Sequence, residues 1–265
     1  MISICIPTVN GPHRLERCLS HIFKDDSIQR FGAEVLVLDD GSNQESLNRN
    51  KTICQSYDIR IIEHNGRFGV PTAWNNLVFH SGHDIVLLLN DDIEVTKHWL
   101  DVIIYTLNNN PLIGVVGLNS TEGERKEPPP VPHYIEAKLL FGSNNHPLLS
   151  TCGSAFAFRK SDYVSVGGFD QRYFCFYEEI DYCLSMLRMG KRLAMLTYPI
   201  LHHYVAETTT TVLENPQQIM RESQEKFEQK WGIRWSDIRQ MFNTSTIPQV
   251  PSIINEWNSA VLFRG

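Results

Sequence analysis

Ile85-Val86-Leu87-Leu88-Leu89 runs directly into Asn90-Asp91-Asp92, and this junction constrains the fold more than any other stretch of the chain. Five apolar residues without polar alternation read as a strand buried on both faces, the pattern of a parallel sheet covered by helices. An unpaired charge is costly to bury, so the chain leaves the core at Asn90. The two carboxylates then stand at the strand's C-terminal mouth, where open α/β sheets bind their ligands. Two clustered oxygen donors need a counter-charge, and a divalent cation carrying a phosphate ester supplies one. Taken alone, the same residues also make an Asx turn leading into a helix, so the rest of the chain has to decide.

The flanking segments supply the sheet. Ile2, Ile4 and Ile6 begin a first strand that Pro7 stops, and Thr8-Val9-Asn10-Gly11 turns into a helix with Pro12 in its first turn. Leu15, Cys18, Leu19 and Ile22 recur at helical spacing. Val35-Leu36-Val37-Leu38 is a second strand ending in Asp39-Asp40-Gly41-Ser42, and Ile59, Ile61 and Ile62 mark a third. A helix over residues 71–79 precedes the organising strand. Thr96 can cap a helix whose apolar face is Trp99, Leu100, Ile103, Ile104 and Leu107, and Gly114-Val115-Val116-Gly117 reads as a further strand. This alternation predicts an α/β fold with a mostly parallel central sheet flanked by helices. Parallel strands end on one side, so the acidic turns after Leu38 and Leu89 and the first βα turn face one crevice. That first turn is not G-x-G-x-x-G and no Walker sequence occurs, which argues against a dinucleotide dehydrogenase or a P-loop NTPase.

In residues 120–147 the pattern breaks into charge, Gly and Pro around Pro128-Pro129-Pro130, an irregular loop serving as a lid or a surface insertion. A strand resumes at residues 155–158, and Val166-Gly167-Gly168-Phe169-Asp170 is a tight turn. Phe176-Tyr177-Glu178-Glu179-Ile180-Asp181-Tyr182-Cys183 opens a helix with Ile180, Cys183, Leu184 and Leu187 on its apolar face and Gly190 at its end. Carboxylates in its first turn suit the helix dipole, a purely structural account of them. A short strand over residues 193–196 leads towards His202-His203, and a polar helix over 218–231 carries Phe227 and Trp231 on one stripe.

Composition narrows the function. A chain of 265 residues, 42% hydrophobic and 20% charged, is that of an ordinary soluble globular protein. A net charge of −6 without any Lys/Arg cluster disfavours nucleic acid as a partner. Six cysteines (5, 18, 54, 152, 175 and 183) form no C-x-x-C pair and are expected to be buried free thiols in a reducing compartment. The first strand begins after one residue, and no apolar run approaches the roughly 20 residues of a membrane span. The expectation is a soluble, cytoplasmic protein with no signal peptide and no membrane span, or a trimmed soluble piece of a larger one.

Three separated pieces can meet in the crevice: Asn90-Asp91-Asp92, Glu178-Glu179 and His202-His203. Oxygen donors with an imidazole make an open divalent site suited to Mn²⁺ or Mg²⁺, and a carboxylate near it but off the metal can act as general base. In order along the chain stand Ser3-Ile4-Cys5-Ile6-Pro7-Thr8-Val9-Asn10, Val37-Leu38-Asp39-Asp40-Gly41-Ser42, Asn65 through Asn75 with Gly69 between, and Asn90-Asp91-Asp92 as a variant of D-x-D. After them come Gly167-Gly168-Phe169-Asp170, Glu178-Glu179-Ile180-Asp181, His203 before a Thr run, and Phe227-Glu228-Gln229-Lys230-Trp231-Gly232. This ordered series resembles the inverting family 2 glycosyltransferases of the GT-A fold, over about residues 2–211.

The resemblance implies a GT-A-like catalytic domain over residues 1–214, with a nucleotide-binding half at 1–118, the loop at 120–147 and an acceptor-side half at 148–214, then a helical extension over 215–265. It implies transfer of a sugar from a UDP-, GDP- or dTDP-sugar to a hydroxyl of a glycan or glycoconjugate. Pro7, Thr8, Asn10 and Asp39 would line the base and ribose, with Asn75 and Asn65 beside the nucleotide. Asp92 would bind the metal with Asp91 assisting, and His203, or alternatively His202, would be a further ligand. Glu179 aligns with the family's base, and Gly153, Ser154, Glu178 and Asp181 would lie on the acceptor side. Asn90 stands where many relatives have Asp, and Ser185 where many have Arg. These departures sustain a second reading, a GT-A protein that binds a nucleotide sugar or glycan without turnover. A metal-dependent phosphohydrolase is a third, disfavoured because there are too few ligands for two metals.

Overall fold

The computed structural model describes residues 1–118, 120–122, 139–140, 151, 153–196, 201–204, 213–234 and 236–237. Strand β1 (Ile2–Thr8) lies between β2 (Glu34–Asp39) and β4 (Ile85–Leu89), parallel to both, and β3 (Arg60–Glu63) extends the sheet beyond β2. On the other side of β4 come β9 (Ala155–Arg159), β6 (Ile113–Gly117), β10 (Arg192–Leu196) and β8 (Leu139–Leu140). Strands β9 and β8 run against the other six, which share one direction, so the central sheet is mostly parallel as expected. A second sheet orders β5 (Ile93–Val95), β11 (Leu201–His203) and β7 (Ser120–Glu122).

The side-chain alternation of the strands feeds two separate cores. Ile2, Ile4 and Ile6 with Ile85, Leu87 and Leu89 point to a mainly aliphatic layer under α1 (Pro12–Lys24), α3 (Gln44–Ser56) and α5 (Trp99–Asn109). Cys5, Leu36, Leu38, Val86 and Leu88 point the other way, onto α4 (Val70–His80), α6 (Lys160–Val166), α7 (Glu178–Arg188) and α8 (Pro216–Trp231). That second layer is rich in aromatic rings: Phe169 packs against Trp74, Phe156, Phe158 and Tyr182 with centroids 4.4 to 6.1 Å apart. Edge-on and offset contacts of this kind add to the burial of large apolar surfaces.

Several local expectations change. Helix α5 begins at Trp99 and is preceded by His98 in the left-handed region (φ 60°), not capped by Thr96; the His98 N–H is held by Asp25 Oδ2 at 3.1 Å. Helix α3 gives no apolar periodicity, because only Asn50 and Cys54 of its residues are buried. Within the stretch read as irregular, Ser120–Glu122 and Leu139–Leu140 are strands, paired with β11 and β10; the remainder, like the tail beyond 237, lies outside the described residues. The five cysteines described are all free, with Cys5, Cys18, Cys54 and Cys183 buried and Cys175 partly so; Cys152 lies outside the described residues. Among those residues no helix is long and apolar enough to cross a membrane.

Leu87 is fully buried in the strand on which both layers rest. Leu87→Ala should lower unfolding free energy by about 3 kcal/mol, the cost of a core cavity, measured by urea denaturation at unchanged m-value.

Candidate active site

The sheet order 3-2-1-4 reverses between β1 and β4, and open α/β sheets bind ligands at such a switch point. Here the C-terminal residue of β1 meets the turn after β4: Thr8 Oγ1 donates to Asp91 Oδ2 at 2.7 Å. From the start of α1, Arg14 Nε donates to Asp91 Oδ1 at 3.2 Å and its Nη2 to the Val9 carbonyl at 2.9 Å. All of these groups are buried. The acidic turn is thus tied to the first βα turn through one carboxylate. Burial still holds the Asp91 carboxyl above its ordinary range, with Arg14 opposing and Asp92 reinforcing the rise.

A cavity of about 450 Å³ opens at this edge. Pro7, Thr8, Val9, Asp40, Asn90 and Asp91 form its polar end; Gly153, Glu178 and Glu179 lie along it, and Trp74, Phe174, Phe176 and Tyr177 make an apolar wall. A Cβ on Gly153 would come 3.0 Å from Glu179 Cγ, so the lack of a side chain there makes room for the glutamate. At the rim, Gly69 (φ 89°) meets the Phe174 carbonyl, which a Cβ would approach to 2.4 Å; only glycine fits both that backbone and that contact.

The site residues expected from sequence divide into two groups. Pro7, Thr8, Asp91, Gly153, Glu178 and Glu179 come together around the cavity. Asn10 clips two turns together, its N–H on Ser42 Oγ at 2.8 Å and its Oδ1 accepting from the Asn43 N–H at 2.8 Å. Asp39 spends its two oxygens inside its own unit, on the Ser42 N–H and Asn50 Nδ2, both at 2.8 Å. It is Asp40 that reaches the cavity, accepting from His64 Nδ1 (2.7 Å) and the N–H groups of Phe68 (3.1 Å) and Gly69 (2.9 Å). Asn75 is buried and holds the Gly168-Phe169 turn, donating to the Phe169 carbonyl (2.8 Å) and accepting from Tyr163 Oη (2.7 Å) and the Phe169 N–H (3.0 Å). Asn65 is exposed, and the carbonyl of buried Ser154 accepts from the Asn90 N–H at 2.9 Å. Asp181 takes Lys230 Nζ at 2.8 Å and Trp231 Nε1 at 2.7 Å, both from α8.

Asp92 meets His203 of β11 at the second sheet, apart from the cavity lining. His203 Nε2 lies 3.3 Å from Asp92 Oδ1, and that buried oxygen receives no hydrogen bond. His202 packs edge-on against Tyr204 with ring centroids 4.4 Å apart. Two ligands each about 2.1 Å from one divalent ion at right angles sit about 3 Å apart, so the spacing and the unsatisfied oxygen fit a shared cation. Among the described residues no group of three His, Cys, Asp or Glu side chains could hold a metal; the pair fits an open site completed by other oxygens.

The two glutamates are shaped by their surroundings. Burial, with Glu179 adding to it, holds the Glu178 carboxyl well above the ordinary range, and its Oε2 has no hydrogen-bond partner. Burial also raises Glu179, opposed by backbone N–H groups at the start of α7.

The family described as Glycosyl transferase family 2 matches residues 3–167, more than half of the chain. The chain belongs to glycosyltransferase family 2. Its sequence is 22% identical over 114 residues to a dolichol-phosphate mannosyltransferase of Pyrococcus furiosus, a match covering 43% of this chain and only 32% of that protein. Among solved structures this family 2 member is similar to S. aureus TarS (TM-score 0.62, 14% identity), covering 89% of this chain and 44% of TarS. It is also similar to the mannosyltransferase PcManGT from Pyrobaculum calidifontis in complex with GDP-Man and Mn²⁺ (TM-score 0.61, 16% identity), covering 99% and 69% of the two chains. The shared fold is GT-A.

Asp40, Arg14 and Trp74 were not anticipated at the site. Arg14 carried a signal, since it stands one turn before Cys18 on the face that buries Leu15 and Leu19; a charge on an apolar stripe needs a buried partner. Arg14→Met removes the counter-charge and should drive the Asp91 carboxyl still higher. A folded-state pKa raised above the unfolded value favours folding at low pH, and that contribution is lost as pH rises through the folded value. The variant should therefore lose about 3 kcal/mol at pH 8 and distinctly less at pH 5 in paired urea titrations.

Proposed function

We propose that this chain is an inverting, metal-dependent glycosyltransferase that moves a sugar from a nucleoside-diphosphate sugar to a hydroxyl of a glycan or glycoconjugate, with Glu179 as general base. The observation that carries this is the cavity shared by the strand-end turns and the Glu178-Glu179 helix start, with Gly153 leaving space beside the Glu179 carboxylate. The similarity to a mannosyltransferase solved with GDP-Man and Mn²⁺ supports the donor class.

In this reading Pro7, Thr8 and the turns ordered by Asn10 and Asp39 receive the base and ribose, and Asp40 closes that end. Asn65, exposed beside the Asp40 loop, would flank the nucleotide, and Asn75 acts through the turn it holds. A Mn²⁺ or Mg²⁺ ion held by Asp92 and His203, with His202 packed behind, would neutralise the charge of the donor diphosphate. Asp91, already neutralised by Arg14, fixes the turn. Glu179 accepts the proton of the acceptor hydroxyl as its oxygen attacks the anomeric carbon. The bond from that carbon to the diphosphate oxygen breaks on the opposite face, so the configuration inverts. A base raised by burial is matched to proton transfer nearer neutral pH, and burial raises Glu178 beside it as well, with Glu179 adding to that rise. Gly153 and Ser154 border the acceptor side, and Asp181 supports it from below.

Calorimetric titration with a panel of UDP-, GDP- and dTDP-sugars, with and without Mn²⁺, tests the donor site. One donor should bind saturably with metal, and Asp92→Ala should lose the metal-dependent part; binding indifferent to Asp92 would remove the assigned ion site. Glu179→Gln should keep donor affinity and lose turnover by about 10³-fold. In the wild-type chain kcat should fall as pH drops through the raised pKa of Glu179, an acid limb above the usual glutamate range near about 4.3.

A further inference from the structure

The segment that delivers Glu178 and Glu179 enters α7 through two consecutive aromatic residues in the left-handed region, Phe176 (φ 71°) and Tyr177 (φ 70°). Residues with a bulky side chain avoid that region, and outliers persist only where the surroundings over-determine them. Much of what surrounds this pair comes from one helix. Ser223 Oγ donates to the Cys175 carbonyl at 2.7 Å, and the Phe227 ring packs on Tyr177 at 5.3 Å between centroids. Lys230, its side chain 2% exposed, donates to Asp170 Oδ2 at 2.9 Å and Asp181 Oδ2 at 2.8 Å. Trp231 Nε1 donates to Asp181 Oδ1 at 2.7 Å. These contacts fall before, on and after the strained pair, and all come from α8. Met220 of the same helix, with Leu213 just before it, also lines the cavity.

We infer that α8 is a brace of the catalytic segment, and that Ser223, Phe227, Lys230 and Trp231 are positioning residues that hold Glu179 at the cavity through the left-handed entry to α7. Residues 215–231 then belong to the working unit instead of being an added extension. Lys230 is the centre of the brace because its ammonium bridges the carboxylates on either side of the pair. Removing it leaves Asp170 and Asp181 buried without their shared cation, so the two ends of the segment are no longer tied to one another. That Glu179 is the base rests on the reading given above; that α8 restrains its segment does not.

Ser223→Ala and Lys230→Met in the full chain test this by hydrogen exchange and by N-ethylmaleimide labelling of Cys175. Exchange in residues 172–181 and labelling of Cys175 should rise about fivefold in Ser223→Ala, the loss of one net hydrogen bond, and at least tenfold in Lys230→Met, while β1 and β4 keep their wild-type exchange. With the donor and acceptor that give turnover, kcat should fall at least tenfold in Lys230→Met with donor KM within about twofold of wild type. Wild-type exchange and labelling in both variants would overturn the brace. So would exchange raised equally across the chain in Ser223→Ala, or local loosening that leaves kcat unchanged. If wild-type protein transfers no sugar, the Glu179 reading fails, yet exchange and labelling still decide whether α8 restrains the segment.

Discussion

A carboxylate buried between the ends of two parallel strands must be neutralised where it stands, and Asp91 meets that requirement from both sides. Thr8 reaches it across the β1–β4 gap and Arg14 reaches it from the first turn of α1. The contact is tight enough that a Cβ on Gly11 would collide with both Arg14 and Asp91. Once Asp91 is pinned, its neighbours are committed to different places. Asn90 turns to the cavity while its N–H continues the β4–β9 pairing, and Asp92 turns to His203 while its carbonyl accepts from the Tyr204 N–H. One paired carboxylate therefore separates a turn that faces the cavity from a residue that faces His203.

The opposite wall of the cavity is built by different physics. The layer beneath α4 and α7 is an aromatic cluster whose rings interlock around Phe169. The Asn75 amide fixes the turn carrying that ring with two hydrogen bonds and ties it to Tyr163 of α6 with a third. Close-packed rings and a satisfied buried amide leave little freedom, which suits a floor from which the helix start at Glu178 projects. The segment above it, residues 172–177, is irregular and strained, and it takes its order from α8 and from the rim glycine, Gly69.

Charge is arranged to match. The chain is acidic overall, at −6, and would repel a diphosphate unless the site's own carboxylates were muted. Arg14 offsets Asp91, Lys230 offsets Asp170 and Asp181, and burial favours the protonated form of Glu178. At Asp170, burial alone would raise the carboxyl, but hydrogen bonds from Arg172 and Lys230 outweigh it and hold the group below the carboxylate range. Asp92 faces His203, and Glu179 lies at the cavity, held by backbone N–H groups at the start of α7.

Periodicity and strand-end chemistry in the sequence determined the alternating α/β plan, the parallel β1, β2 and β4 and the common edge of their turns. These follow from local rules, namely burial of continuous apolar strands and exclusion of bare charge. Helix α3 escaped because a helix that buries only Asn50 and Cys54 leaves no hydrophobic stripe. Only the tertiary structure decided which of two adjacent acids faces the cavity, since Asp39 and Asp40 differ by one residue of backbone and are sorted by partners such as Asn50 and His64. The tertiary structure likewise sets that His203, not His202, approaches Asp92, and that Asp181 meets Lys230, 49 residues away. Contacts between segments so distant along the chain depend on how the layers pack, and no local spacing encodes them.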